Sequence, residues 1–274
     1  MRIPFPHNLI PFFLFTIILS LTNCTKETAS LETIDDLVVQ GYLRPEQPVD
    51  DFKVTRIISL ASEIQQQEAV DRASVTITTE GAVYELTSIG DGIYQNLNFI
   101  PEAGRVYELA VTFEDKMITA TTFVPLPPEN IRISATEVTR KKIEGFGDVD
   151  FTNLPEPIEV NWEDNSSNYY FVVVSNTEEN PEPVNALFGE NERPTFTNEP
   201  EITTTFFINS FQFFSHYGRY EVEVFRVNPE YVTLYENVST GQGALNEVTT
   251  NISGGFGIFT GVSSAKLEIV VTKG

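Results

Sequence analysis

The chain has 274 residues, a net charge of −22, one cysteine and two histidines. So acidic a balance argues against nucleic acid, which demands a basic footprint, and against a body lying flat on anionic lipid. One cysteine allows no internal disulfide, so the body must be held by packed cores, and residues 24–274 suffice for two ordinary domains.

Arg2 is the only charge before an apolar run at 9–21 (LIPFFLFTIILSL), which is followed by Thr22, Asn23 and Cys24. At about 13 residues the run is short of the roughly 20 that cross a bilayer core. A basic start, a short apolar stretch and small polar residues form a secretory signal. With the chain's lone cysteine directly after it, residues 1–23 are expected to be a lipoprotein signal peptide. Cys24 is then the lipidated first residue of the mature protein, joined to the membrane by several acyl chains. Residues 24–36 form a polar tether.

Alternation with a period of two then dominates. Strands are expected at 37–43 (LVVQGYL), 53–59, 73–79, 82–87, 92–97, 106–113 and 117–123. They are rich in β-branched and aromatic residues and separated by turn signals such as Glu80-Gly81 and Gly90-Asp91-Gly92. This spacing predicts an immunoglobulin-like β-sandwich over 37–124. Residues 60–72 (LASEIQQQEAVDR) break the pattern and read as a loop with a helical turn. Three prolines within 125–130 stiffen a link between domains.

The second half, 131–274, reads as a fibronectin type III-like sandwich with insertions. Its strands are expected at 131–138, 158–163, 169–175, 203–208, 218–226 and 265–271, with 158–163 and 169–175 paired across a loop at 164–168. Trp162 alternates inward with Val160 and Ile158. One helix is well signalled: Asn228 caps, Pro229 takes the first position, Tyr231, Leu234, Tyr235 and Val238 form an apolar stripe, and Gly241 ends it. The fold expected is all-β, two sandwiches and one short helix.

Chemistry is sparse. His7 lies in the signal, so His216 is alone in the mature chain, which leaves no zinc set of ordinary composition. No Gly-x-Ser-x-Gly elbow, dinucleotide fingerprint or phosphate loop occurs. Asp35-Asp36 and Asp148-Val-Asp150 lack the spacing of a calcium loop. Neither catalytic residues nor a metal or cofactor are therefore expected. Two constellations remain. Phe206, Phe207, Phe211, Phe213, Phe214 and Tyr217 crowd into twelve residues, and those that alternation leaves outward are candidates for partner contact. Residues 251–261 (NISGGFGIFTG) are glycine-rich, with no following helix to make a phosphate site.

The order of 37–43, 73–77 (ASVTI), 91–94 (DGIY), 104–107 (GRVY), the 125–128 prolines and 251–259 resembles the Bacteroidota lipoproteins of domain-of-unknown-function family 4249. Such proteins are typically encoded beside TonB-dependent outer-membrane receptors. The resemblance implies an outer-membrane, lipid-anchored and non-catalytic accessory to such a receptor, in nutrient or peptide capture. A free-standing carbohydrate- or peptide-binding surface lipoprotein is the alternative. Lys26-Glu27 resembles part of the Lys-and-acid signal that sends such lipoproteins to the cell surface.

Overall fold

A computed structural model describes residues 35–59, 65–145, 155–184, 195–239 and 251–274. The expected leader, Cys24, most of the tether, Asp148, Asp150 and Gly241 lie outside these residues.

The first half supplies β1 (Asp35–Leu43), β2 (Val49–Ser59), β3 (Gln65–Ala69), β4 (Ser74–Thr79), β5 (Ala82–Gly90), β6 (Ile93–Asn96), β7 (Val106–Phe113) and β8 (Lys116–Phe123). Glu80 (φ 48°) and Gly81 (φ 82°) are both left-handed between paired Thr79 and Ala82, the two-residue turn whose twist suits a hairpin. β4 lies between β5 and β7, and β7 pairs with β8; opposite them, β2 lies between β1 and β6. Strand β5 belongs to both layers: residues 82–86 pair with β4, and from Thr87 it follows β6, with a register shift between Ser88 and Gly90. Alternate residues from both layers, among them Val39, Phe52, Val54, Val75, Ile77, Val111 and Ile118, bury a first core.

The second half adds β9 (Glu129–Ile133), β10 (Glu137–Arg140), β11 (Ile158–Glu163), β12 (Tyr169–Asn176), β13 (Phe196–Thr197), β14 (Thr205–Ile208) and α1 (Ser210–Phe213). It continues with β15 (Gly218–Val227), α2 (Pro229–Ser239), β16 (Ile252–Ser253) and β17 (Phe256–Lys273). One layer is β14-β11-β9; the other contains β12, β13, β15, β10 and the distal part of β17. Between them Trp162, Tyr170, Val172, Val222, Val224 and Ile269 bury a second core. The fold is all-β with short helices, as the alternation implies.

Several details differ from the sequence reading, among them the strand expected at 131–138, which is split into β9 and β10 in opposite layers. The expected loop at 60–72 contains β3, which pairs with β2 at Thr55–Ser59. Its residues 67–69 are exposed, so this strand carries no apolar stripe to reveal it. Strands β11 and β12 are not partners: they sit in opposite layers, and Trp162 meets Tyr170 across the core with ring centroids 5.2 Å apart. Finally, residues assigned to the second sandwich complete the first. β16 pairs with β8, and Phe256–Gly261 of β17 run parallel to β1 before the same strand pairs with β15.

Candidate functional site

The six aromatics expected at a contact surface separate by environment. Phe214 and Tyr217 are buried in the second core, and Phe214 meets Tyr220 edge-on at 4.8 Å. Phe213 lies between Phe196 (4.8 Å) and Phe206 (5.8 Å), packed against that core. Phe211 sits beneath the Arg140 guanidinium at 5.5 Å. Only Phe207, 59% exposed, presents most of its surface to solvent. The cause is local: the Asn209 side chain accepts from the Phe211 N–H and starts α1, so a helical turn replaces strand alternation and folds the run inward.

His216 is fully buried. Its Nδ1 is 2.8 Å from Ser215 Oγ, and its N–H donates to Tyr220 Oη at 2.9 Å. Enclosure of this Ser–His pair in the core makes it part of the packing. Among the described residues, no three His, Cys, Asp or Glu side chains cluster as a metal set. Asp35 and Asp36 are strand residues facing Ile58 and Ile57.

The glycine-rich segment works at the seam between the cores. Gly257 (φ 106°) lies so near β1 that a Cβ would stand 1.8 Å from Val39 O, and a Cβ on Gly254 (φ 82°) would stand 2.2 Å from Met117 O. Only glycine accepts both the conformation and the approach. Asn251 Nδ2 donates to Thr121 O at 3.0 Å and Phe259 O at 2.5 Å, tying this segment to β8.

A polar network closes the seam. The Asn228 amide nitrogen reaches Phe123 O at 2.7 Å, Thr122 Oγ1 at 3.2 Å and Gly261 O at 3.3 Å, so it bridges β8 and β17 at the start of α2. Glu230 Oε1 accepts from the hydroxyls of Thr122 and Thr260, each at 3.0 Å. Ser263 Oγ donates to Pro125 O. Of the helix stripe, Leu234 packs against Ile258 here, with Tyr231 beside them.

Beside this network lies a groove of about 870 Å³. Its walls are the turn at 44–47, the loop at 100–103, Pro127 and Pro128, Glu223 and Phe225 of β15, and residues 262–266. Phe225 stacks on Phe171 at 4.7 Å, and Phe171 on Tyr231 at 5.5 Å, a ladder from groove to helix. Lys266 pairs with Glu221 at 3.0 Å and Glu223 at 3.7 Å. The Glu221 hydrogen bond, opposed by burial and helped by Glu223, holds its ammonium above the ordinary lysine range. Arg44 pairs with Asp51 at 2.9 Å and lies over Tyr42.

The sequence reading passed over these residues. Phe171 and Phe225 carried a signal, since each is an aromatic at an outward position of a strand whose alternate residues are buried. The groove itself joins segments far apart in the chain and had none.

The model of the domain-of-unknown-function family DUF4249 matches residues 26–268. The chain belongs to the DUF4249 family. None of the curated proteins compared with it matches. The matched span of this DUF4249 chain holds the first core, all of the second but Ile269 and Val271, the network around Asn228 and every wall of the groove. The seam is thus inside the family unit. Among the described residues, no helix is long and apolar enough to cross a membrane.

Proposed function

We propose that this DUF4249 protein is a lipoprotein anchored through Cys24 in the outer membrane, where it assists a TonB-dependent receptor in capturing a nutrient or peptide and performs no catalysis itself. The observation that carries the reading is the groove at the seam, a concave surface of ligand-site size walled by prolines, Phe225 and main chain. The Ser263 hydroxyl of one wall donates to Pro125 O, two residues before the Pro127-Pro128 wall, which suits recognition by a preformed surface. The apolar run at 9–21 serves as the export signal and Cys24 behind it takes the lipid anchor, and the family match begins at Lys26, just beyond it. Lys26-Glu27 supports display outside the cell; protease added to intact cells is expected to digest the protein.

The test is affinity purification of the full chain from native membranes in mild detergent, with mass spectrometry of what co-purifies. A stoichiometric outer-membrane receptor is the expected result. Recovery of the lipoprotein alone overturns the accessory role and favours a free-standing binder of glycans or peptides. The Phe225–Phe171 ladder supports that second reading, because flat aromatic faces suit sugar rings; a glycan array would then return specific binders.

A further inference from the structure

Strand β17 has an edge that is paired at both ends and, among the described residues, unpaired between them, where β9 passes nearby. Its residues 256–261 pair in parallel with β1, whose last partner is Gly261. Its residues 270–273 pair in parallel with β10, whose first partner is Val270. Both neighbours lie on the same side. The N–H groups of Val270 and Gly274 donate to Thr136 O and Arg140 O, away from β15, each at 2.9 Å. On the other side, the N–H groups of Phe259 and Gly261 meet the side chains of Asn251 and Thr122. Even-numbered residues therefore address the β1 and β10 side throughout.

The register with β15 runs without a shift from Val262 to Val271. Strict alternation then turns the main-chain groups of Ser264, Lys266 and Glu268 toward the open side. Among the described residues, no strand pairs with this edge over 262–269. Eight residues at about 3.3 Å each span roughly 26 Å. The seam groove runs along 262–266, and a second hollow, walled by Ile133, Thr136 and Glu137, continues along 267–270.

We propose that this edge takes one extended segment of a partner protein as an added strand between β1 and β10. A row of unpaired N–H and C=O groups is a template for main-chain pairing, and proteins recognise extended peptides in this way. The inference rests on the accessory reading for the existence of a partner and names how that partner is held.

The surroundings choose the occupant. The turn at 44–47 and Pro127-Pro128 stand beside one part of the edge, and β10 stops the other end. A single extended chain fits such a slot, whereas the sheet edge of a second folded copy meets its walls. Glu46, Glu102, Glu137, Glu223 and Glu268 line the two hollows against Arg44 and Lys266. The incoming segment is therefore net cationic, with Lys or Arg at alternate positions.

Two measurements test this on the full-length protein in mild detergent. Residue-resolved hydrogen exchange reads the free edge: the amides of Ser264, Lys266 and Glu268 are expected to exchange at least about tenfold faster than those of Ala265 and Leu267, which pair with β15. Slow exchange at all five overturns the proposal. A display library of random eight-residue peptides is then panned against the protein. Enrichment of Lys- and Arg-bearing extended sequences is expected, and a library with no enrichment overturns it.

Lys266→Pro removes an N–H that faces the open side, a position where an edge strand accepts proline. It is expected to weaken the selected peptides at least about tenfold, while Lys266→Ala stays within about twofold, since the main chain makes the contact. Ser264→Pro serves the same purpose if Lys266→Pro does not fold. Peptide binding that survives both proline variants overturns the proposal, as does dimerisation of the wild type that Lys266→Pro abolishes, which assigns the edge to a second copy. A receptor that co-purifies equally with wild type and Lys266→Pro leaves the accessory role standing and removes strand addition. Lost receptor with intact, proline-sensitive peptide binding does the reverse.

Discussion

The two cores are built on different principles. In the first, β5 passes from one layer to the other, so main-chain hydrogen bonds connect the two layers. Its large buried tyrosines are tied to nearby backbone: Tyr94 Oη donates to Val70 O and accepts from Ala73 N, both at 2.8 Å. In the second, the β14-β11-β9 layer shares no strand with its partner layer, and side chains such as Trp162 and Tyr170 join them. A core whose layers share a strand resists loss of one side chain better than a core closed mainly by packing, where, among the described residues, the segment 201–204 bonds main chain to both layers. Between them runs β17, the one strand among the described residues that serves both.

That contrast can be broken at its hinge. Gly257→Ala is expected to have the largest effect, because its Cβ would collide with Val39 O in a left-handed conformation. The backbone strain alone costs about 1–3 kcal/mol and the collision with Val39 O adds to it, for a total of about 4 kcal/mol or more, and urea unfolding should show the first core weakened before the second. Trp162→Ala tests the packed core. It should cost about 3–5 kcal/mol in the same experiment and lower the second core's stability first.

Smaller changes sharpen the comparison. Asn228→Ala removes the bridge between β8 and β17 and should cost about 1–3 kcal/mol. Calorimetry is then expected to resolve two transitions where the wild type shows closer coupling. Phe207→Ser, at the one well-exposed ring of the aromatic run, should stay within about 0.5 kcal/mol. A larger loss would mean that Phe207 packs like its neighbours.

The smallest effect concerns pH. Burial pushes the Asp164 carboxyl up, but hydrogen bonds from Asn168 and Ser166 outweigh it and leave its pKa below the ordinary value. Its contribution to stability is therefore present above the usual carboxylate range and is lost as pH falls through the lowered value. Asp164→Asn should flatten the acid limb of the stability curve, with variant and wild type converging at low pH. Parallel acid limbs would exclude this role.

Strands of the first half were legible because each alternates buried and exposed side chains, as 74–79 and 106–113 do. β3 was not, because it is polar on both faces. The link 164–168 looked like a hairpin because it is short, yet Asp164 accepts from Ser166 N and Asn168 N to form a compact turn that carries the chain between layers. The aromatic run misled for a similar reason: composition marked the cluster, while one Asn209 hydrogen bond changed its periodicity. Of the groove, only the outward rings of Phe171 and Phe225 were readable.

Strand content, turn chemistry, the acidic surface and the helix after Asn228 are properties of short stretches, so the order of residues was enough to reveal them. The parallel pairing of β1 with β17, the placing of β11 opposite β12, the seam network and the open edge join residues more than a hundred positions apart in several cases. Alternation tells a strand which face is apolar but not which strand will lie beside it; packing of the whole chain makes that choice, and with it which grooves and edges are left at the surface.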